Sequence, residues 1–235
     1  MKIEVLFSEV CNLSGDYQNV EYLRQTLPEA EFIFTPLTGE PDFAANRPDM
    51  VYMGTMTEAI QRRVIEKLMP YKSRIEALID DGVVFLMTGN ACEVFCSRID
   101  YITEECSAEG LGLFGLTAKN DLFRRYNGKF LGEVDGIPVV GFRSQFSFLY
   151  GDNSQCFFGK NQRSIGINPD TDLEGIRRKN FFGTNLHGPI LPLNPLLCEH
   201  LVRLAGGDAP AAHREAAMAA YEQRLKEFRD PSVKF

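Results

Sequence analysis

The run Val83-Val84-Phe85-Leu86-Met87 constrains the fold of this chain more than any other stretch. Five apolar residues in succession leave no polar face to turn toward water. A strand of this kind belongs in a parallel sheet covered by helices on both faces. Asp81-Gly82 ends the segment before it, and Thr88-Gly89-Asn90 forms a tight turn after it. The same punctuation recurs upstream. Residues 3–7 read as a first core strand, residues 31–35 as a second, and Met50-Val51-Tyr52-Met53 as a third that runs into Gly54. Between them, residues 19–27 carry Val20, Leu23 and Leu27 on one helical face. Residues 57–79 carry a longer helical pattern that Pro70 divides or bends. Strand and helix therefore alternate through the first hundred or so residues. That order predicts an α/β fold: a three-layer, open, mostly parallel sheet with right-handed crossovers and flanking helices.

The second half has a different texture. Residues 111–165 are rich in glycine and aromatic residues and give short strand signals, such as Gly136-Ile137-Pro138-Val139-Val140. They read as strands and turns that extend the sheet, some of them antiparallel. Residues 180–187 bring another strand to a polar loop. Residues 91–99, 194–204 and 209–228 read as helices, the last of them alanine-rich and charged. No composition shift marks a domain boundary. We expect one domain over 1–205, with 206–235 a helical extension packed on it.

Charge and composition exclude several functions. The formal charge is −7, and the one basic cluster, Arg177-Arg178-Lys179, is too short to track a phosphate backbone, so no nucleic-acid partner is expected. No apolar run reaches the roughly 20 residues of a membrane span. The opening MKIEVLFSEVCNL lacks the layout of a secretion signal, which predicts a cytoplasmic protein without membrane insertion. The six cysteines, Cys11, Cys92, Cys96, Cys106, Cys156 and Cys198, are then expected as free thiols. Cys92 and Cys96 would share a helical face, yet the three histidines offer no ligand spacing to complete a metal site. No phosphate loop or dinucleotide fingerprint is present, so neither a metal nor another cofactor is expected.

In open α/β sheets, sites form beyond the carboxyl ends of the strands. Three turns have that position: Gly54-Thr55-Met56, Thr88-Gly89-Asn90-Ala91-Cys92-Glu93, and Leu186-His187-Gly188-Pro189. In the second, a strand, a sharp turn and a helix would display a nucleophile at the tip, but the tip is Gly89. Cys92 lies one turn further on, either as a thiol activated near a helix start or as a buried side chain against the sheet. His187 suits a general base or a fixed hydrogen-bond partner, and Glu93 is its one acidic candidate within these turns. Gly54 is placed to offer a backbone N–H to an oxyanion. Asp16 and Asn19 form a polar cluster beyond the first strand, where Asp16 is suited to cap the helix that follows.

These residues resemble a family. Asn12-Leu13-Ser14-Gly15-Asp16-Tyr17-Gln18-Asn19, Asp49-Met50-Val51-Tyr52-Met53-Gly54, Gly141-Phe142-Arg143-Ser144-Gln145 and Gly183-Thr184-Asn185-Leu186-His187-Gly188-Pro189-Ile190-Leu191-Pro192-Leu193-Asn194-Pro195 are similar to segments of the class I glutamine amidotransferase-like proteins. The nearest branch is that of cobyric acid synthase and the lipid II isoglutaminyl synthase glutaminase subunit. The resemblance implies hydrolysis of glutamine through a cysteine thioester, with ammonia passed to an ATP-dependent, Mur ligase-like partner. It places His187 on the catalytic histidine, Gly54 on the oxyanion loop, and Asn90 and Gln145 in the pocket. At the elbow the branch has Cys-Gly-Gly-Tyr-Gln, whereas this chain has Gly89-Asn90-Ala91-Cys92-Glu93. Glycine thus replaces the nucleophile, and Glu93 replaces a substrate-side glutamine. Three functions stay open: a non-catalytic subunit that pairs with the ligase, a glutaminase with Cys92 as displaced nucleophile, and a binding module for a small amino acid or amide.

Overall fold

The computed structural model describes residues 1–187 and 189–234. Gly188, in the expected Leu186–Pro189 turn, and Phe235, the last residue of the expected extension, lie outside the described residues. In chain order the elements are β1 (Lys2–Leu6), α1 (Tyr17–Thr26), β2 (Glu31–Thr35), β3 (Met50–Met53), α2 (Glu58–Leu68), α3 (Lys72–Asp80), β4 (Val84–Thr88), β5 (Cys96–Tyr101), β6 (Cys106–Glu109), β7 (Phe114–Asn120), β8 (Tyr126–Val134), β9 (Ile137–Gln145), β10 (Ser147–Tyr150), β11 (Gly159–Arg163), β12 (Leu173–Glu174), β13 (Ile176–Arg178), β14 (Phe181–Thr184), α4 (Ile190–Leu193), α5 (Pro195–Leu204) and α6 (Arg214–Arg229).

The central sheet has the order β13-β14-β4-β3-β1-β2. Its pairings are parallel except at the β13–β14 edge. Side chains alternate across it as the strand period requires. Ile3, Val5, Met50, Tyr52, Val84 and Leu86 face α1 and α5, where Val20, Leu23, Leu197 and Leu201 meet them. Val51, Met53, Phe85 and Met87 face the opposite way, onto Val64, Leu68, Ile75 and Leu78 of α2 and α3. The continuous apolar run in β4 is explained by these two buried faces. Pro70 sits in the short 3-10 turn Met69–Tyr71 that separates α2 from α3, as its missing N–H dictates.

The aromatic stretch, joined by β5 and β6 before it and β12 after it, forms two further four-stranded sheets, β10-β7-β5-β6 and β12-β11-β8-β9. Among the described residues, the antiparallel strands therefore add to the central sheet itself only through β13. Helix α6 lays Tyr221, Leu225 and Phe228 on Leu131 and Val140 of β8 and β9. Two expected helices differ from the structure. Residues 209–212 precede α6 rather than belong to it, because Pro210 and the left-handed His213 (φ 50°) interrupt the backbone before Arg214. The helix expected over 91–99 is absent. Gly89–Phe95 is a 3-10 segment, and Cys96–Tyr101 is strand β5, paired in parallel with β7 and antiparallel with β6. Two strand partners override local helical propensity there. Cys92 and Cys96 consequently do not share a helical face.

Phe181 joins the central sheet to the second one. Its ring contacts those of Phe85, Phe95 and Phe114 at 5.9, 4.8 and 5.1 Å between centroids. We expect Phe181→Ala to cost about 3–5 kcal/mol, read by urea unfolding. A loss under about 1 kcal/mol would show that this junction carries little of the stability.

Candidate functional site

Turns after β1, β3, β4 and β14 converge at the carboxyl edge of the central sheet, where a cavity of about 390 Å³ opens. Leu13 and Ser14 line it from the first turn, Thr55, Met56 and Glu58 from the second, Gly89 and Asn90 from the third, and Asn185 and His187 from the fourth. Arg125, Ser144, Gln145 and Ser147 close the side toward the aromatic half. Of the residues singled out in the sequence, His187, Gly89, Asn90 and Gln145 are brought together here. Gly54, Cys92, Glu93, Asp16 and Asn19 lie outside the lining. Glu58, Asn120, Arg125, Ser147 and Asn185 line it without having been assigned a role. Asn185 stood inside a recognised motif and was the one a side-chain reading had within reach.

The elbow keeps its shape but not its nucleophile. Gly89 has a left-handed backbone with φ +60°, a conformation that a side chain disfavours. A Cβ added there would overlap Thr55 Oγ1 and lie 3.0 and 3.1 Å from Thr55 Cγ2 and Cβ. Thr55 therefore occupies the space in which a side chain at the tip would begin. It is fixed there, because its hydroxyl donates to Asp16 Oδ1 at 3.1 Å. Thr88, immediately before the tip, donates to the same oxygen at 2.9 Å. Asp16 Oδ2 accepts the Ser14 N–H at 3.0 Å. Asp16 thus does not cap α1 with its side chain, as its position suggested. Its carboxylate is spent on the turns instead. Asn19 sits behind it, donating to the Tyr52 hydroxyl at 3.0 Å and accepting the Leu191 N–H at 2.9 Å.

The neighbouring donors are also engaged. An oxyanion site at such an elbow draws on a backbone N–H of the loop after an adjacent strand. Here the Met56 N–H donates to Asn90 Oδ1 at 3.0 Å, and Asn90 Nδ2 returns a bond to the Met56 carbonyl at 2.8 Å. Gly54 is packed away from the cavity, since an added Cβ would stand 2.6 Å from the Cys11 carbonyl and 2.8 Å from Asp16 Cγ. Behind the tip runs a 3-10 segment, Gly89–Phe95, in place of an α-helix.

His187 reaches the cavity from an isolated bridge to Phe142. Its Nε2 accepts the Ser144 N–H at 2.8 Å, so the imidazole proton resides on Nδ1. Burial holds its pKa below the ordinary histidine range and keeps the ring neutral. The nitrogen that would take a proton is thereby committed to the backbone. Cys92 is fully buried. Its Cβ lies against β14, 2.9 Å from where a Cβ on Gly183 would stand, and its thiol makes a weak contact with Asn185 Oδ1 at 3.8 Å. Burial first, then the Glu93 charge, drives its pKa well above the usual thiol value. A thiol so placed is protonated and inert. The acceptor of the Cys92 thiol is Asn185 Oδ1, and His187 Nε2 is turned to the Ser144 backbone instead.

Beneath the floor lies a buried polar layer. Arg143 and Glu174, both fully buried, pair at 2.5 Å. Glu174 Oε1 accepts Thr184 Oγ1 at 2.7 Å and the Asn185 N–H at 3.0 Å, so this pair sets the start of the His187 loop. Gln145 Nε2 donates to the Ser147 carbonyl at 2.6 Å, while its Oε1 has no hydrogen-bond partner among the described residues. Asn185 Nδ2 has none either. Unsatisfied buried groups of this kind cost about 1–3 kcal/mol each.

Glu93 belongs to the same layer. Its carboxylate accepts Gln61 Nε2 at 3.0 Å and is hydrogen-bonded by Ser147 Oγ. Gln61 also donates to the Asn90 carbonyl at 2.9 Å and accepts the Tyr101 hydroxyl at 2.9 Å. Burial raises the Glu93 pKa from 4.5 to about 7, against the lowering effect of Ser147 and Gln61. Because the folded value lies above the unfolded one, the neutral acid is the favoured folded form. Stability is highest below the unfolded pKa and declines as pH rises to about 7, by about 3 kcal/mol in all. Glu93→Gln should flatten that decline and leave the variant more stable than the parent by about 2–3 kcal/mol at about pH 8, read by urea unfolding across pH. Equal pH slopes in parent and variant would contradict a buried, titrating Glu93.

Comparison with known proteins is consistent with this architecture. No family model matches the sequence. Among curated proteins, the chain is 26% identical over 202 residues to the lipid II isoglutaminyl synthase (glutamine-hydrolyzing) subunit GatD of Staphylococcus aureus, covering 84% of this chain and 81% of that one. It is 27% identical over 212 residues to the subunit of the same name from Streptococcus pneumoniae, covering 87% and 80%. Among solved structures, a crystal structure of a glutamine amidotransferase superposes with a TM-score of 0.58 at 15% identity, over 87% of this chain and 98% of that one. PurLQS from Thermotoga maritima superposes with a TM-score of 0.53 at 12% identity, over 95% and 98%. The chain has the class I glutamine amidotransferase-like fold and is related in sequence to lipid II isoglutaminyl synthase GatD subunits.

Proposed function

We propose that this chain is an amidotransferase-like subunit that does not hydrolyse glutamine and that acts with a Mur ligase-like, ATP-dependent partner in the cytoplasm, in cell-wall amidation. The observation that carries the first part is the elbow. Gly89 has no nucleophile to offer, and the volume beside it belongs to Thr55, which Asp16 holds in place. Cysteine-thioester chemistry needs a thiolate, a base in contact with it and donors for the oxyanion. Here His187 Nε2 is bonded to Ser144 and the Met56 N–H to Asn90, so each of these roles lacks a ready group. The burial and raised pKa of Cys92 count against it as a displaced nucleophile.

The second part rests on similarity. Both curated relatives are named as subunits of a glutamine-hydrolysing synthase, and both are matched over most of their length. A shared fold outlasts its chemistry, so partner binding survives loss of the nucleophile without physical difficulty. Among the described residues no helix is long and apolar enough to cross a membrane.

The test is ammonia release from glutamine, alone and with a co-purified Mur ligase-like partner. We expect none above the uncatalysed background in either case, and no change in Cys92→Ala. Turnover abolished by Cys92→Ala would overturn the proposal in favour of the displaced nucleophile. Turnover unaffected by that substitution would overturn it in favour of a nucleophile elsewhere.

A further inference from the structure

The central sheet ends at β13 on one side and at β2 on the other. A sheet edge is a row of unpaired backbone groups, and folded proteins blunt it with charge, proline, brevity or a bulge. The β13 edge is treated in this way. It is three residues long, carries Arg177 and Arg178, and gives its Arg177 N–H to the Cys156 carbonyl at 2.7 Å. The β2 edge is not. Glu31-Phe32-Ile33-Phe34-Thr35 holds no lysine, arginine or proline and pairs with β1 over its whole length without a bulge. The Glu31 N–H donates to the Met1 carbonyl at 2.9 Å, and the Thr35 carbonyl accepts the Phe7 N–H at 2.7 Å. Backbone polar groups alternate in direction along a strand. Glu31, Ile33 and Thr35 therefore turn theirs toward β1, and Phe32 and Phe34 turn theirs outward. Among the described residues nothing bonds these outward groups. The two phenylalanine side chains share the α1 face with Ile3 and Val5, their partners in register. Phe34 is 41% exposed, and its ring centroid lies 6.2 Å from that of Tyr17. A groove of about 510 Å³ runs between this edge and α1, lined by Glu21, Arg24, Leu27, Pro28, Phe32 and Phe34.

We propose that the β2 edge is a homodimer interface, in which two copies pair this strand antiparallel about a two-fold axis through Ile33. That register sets Phe32 of one copy opposite Phe34 of the other, on both sides of the axis. Each such pair exchanges two N–H to C=O bonds, so the outward groups of both phenylalanines are satisfied. Their rings meet across the seam on the α1 side, a favourable cross-strand combination. On the other face Ile33 meets Ile33, and Glu31 meets Thr35 rather than a second carboxylate. A chain of net charge −7 approaches its own copy most easily where local charge is balanced. In the groove Glu21 and Arg24 pair with each other at 3.1 Å, so α1 brings no net like charge to the seam. The two-fold also closes the assembly, because each copy spends its one unblunted edge of the central sheet.

Sedimentation equilibrium of the intact protein at about 50 μM tests this, and we expect a species of twice the chain mass. Phe34→Lys places a charge opposite Phe32 of the other copy. It should weaken the dimer at least about tenfold while the circular dichroism spectrum stays that of the parent. Ile33→Cys, made in a Cys106→Ser background to remove the exposed thiol, reads the register independently. Position 33 lies on the axis, where opposed Cα atoms stand about 4.5 Å apart, within disulfide reach. Mild oxidation should therefore give a covalent dimer. Phe32→Cys in the same background should give none, because its copy stands two residues further along the seam. A monomeric parent overturns the proposal, even if the edge accepts a strand of another protein. A dimer that Phe34→Lys leaves intact, or that Ile33→Cys does not cross-link, places the interface elsewhere and overturns it too. If Phe34→Lys does not fold, the cross-linking result decides alone.

Discussion

The Asp16 carboxylate ties together three turns of the central sheet. Ser14 and Thr55 donate to it from the loops after β1 and β3, and Thr88 does so from the last position of β4. It is buried, so these bonds operate at low dielectric, where charge-assisted bonds are strong and their loss expensive. Everything about the elbow follows from that anchor. Thr55 is where it is because Asp16 accepts its hydroxyl, and Gly89 is glycine because Thr55 fills the adjoining space and the backbone runs at positive φ. A cysteine at the tip would carry the backbone strain that nucleophile elbows tolerate, but it needs the Thr55 side chain to give way. The departure from the family pattern therefore involves a pair of positions, with the second partner one loop away in sequence.

The chemistry of the cavity is coherent with that closure. Groups that would serve hydrolysis are tied to the protein itself. Asn90 clips the Met56 backbone from both sides, Ser144 bonds His187, and Cys92 is packed against β14. What stays unsatisfied is of another kind: one amide donor and one amide acceptor. The buried layer beneath, Arg143 with Glu174 and Glu93 with Gln61, keeps these amides at fixed positions. Its cost in desolvation suits a wall whose shape matters more than its stability.

Much of the fold was legible in the sequence because its strands obey simple periodicities. The apolar run of β4 demanded two covered faces, and α1 and α5 on one side with α2 and α3 on the other supply them. The break at Pro70 and the turns at Gly54 and Gly89 were equally plain. The strand Cys96–Tyr101 was not, since its identity depends on pairing with β6 and β7, distant partners that no local pattern announces. At the site, His187 and Gly89 stood out through motif and turn chemistry. The role of Thr55 did not, because its meaning lies in a contact across two loops. Asp16 showed a similar limit: a helix-capping position is visible locally, whereas a carboxylate shared by three turns exists only in the folded chain. Arg125 and Glu58 carried no local signal at all.

A double-mutant cycle between Gly89→Ala and Thr55→Gly, with stability measured by urea unfolding, tests the closed elbow most directly. Alanine at 89 alone should destabilise through both its backbone conformation and its overlap with Thr55. Removing the Thr55 side chain relieves the overlap alone, so the two substitutions should be coupled by about 1–3 kcal/mol, with the double variant more stable than the sum of the single effects allows. Additive losses, within about 0.5 kcal/mol, would mean that the Thr55 side chain does not occupy the space beside Gly89 and that the elbow is open.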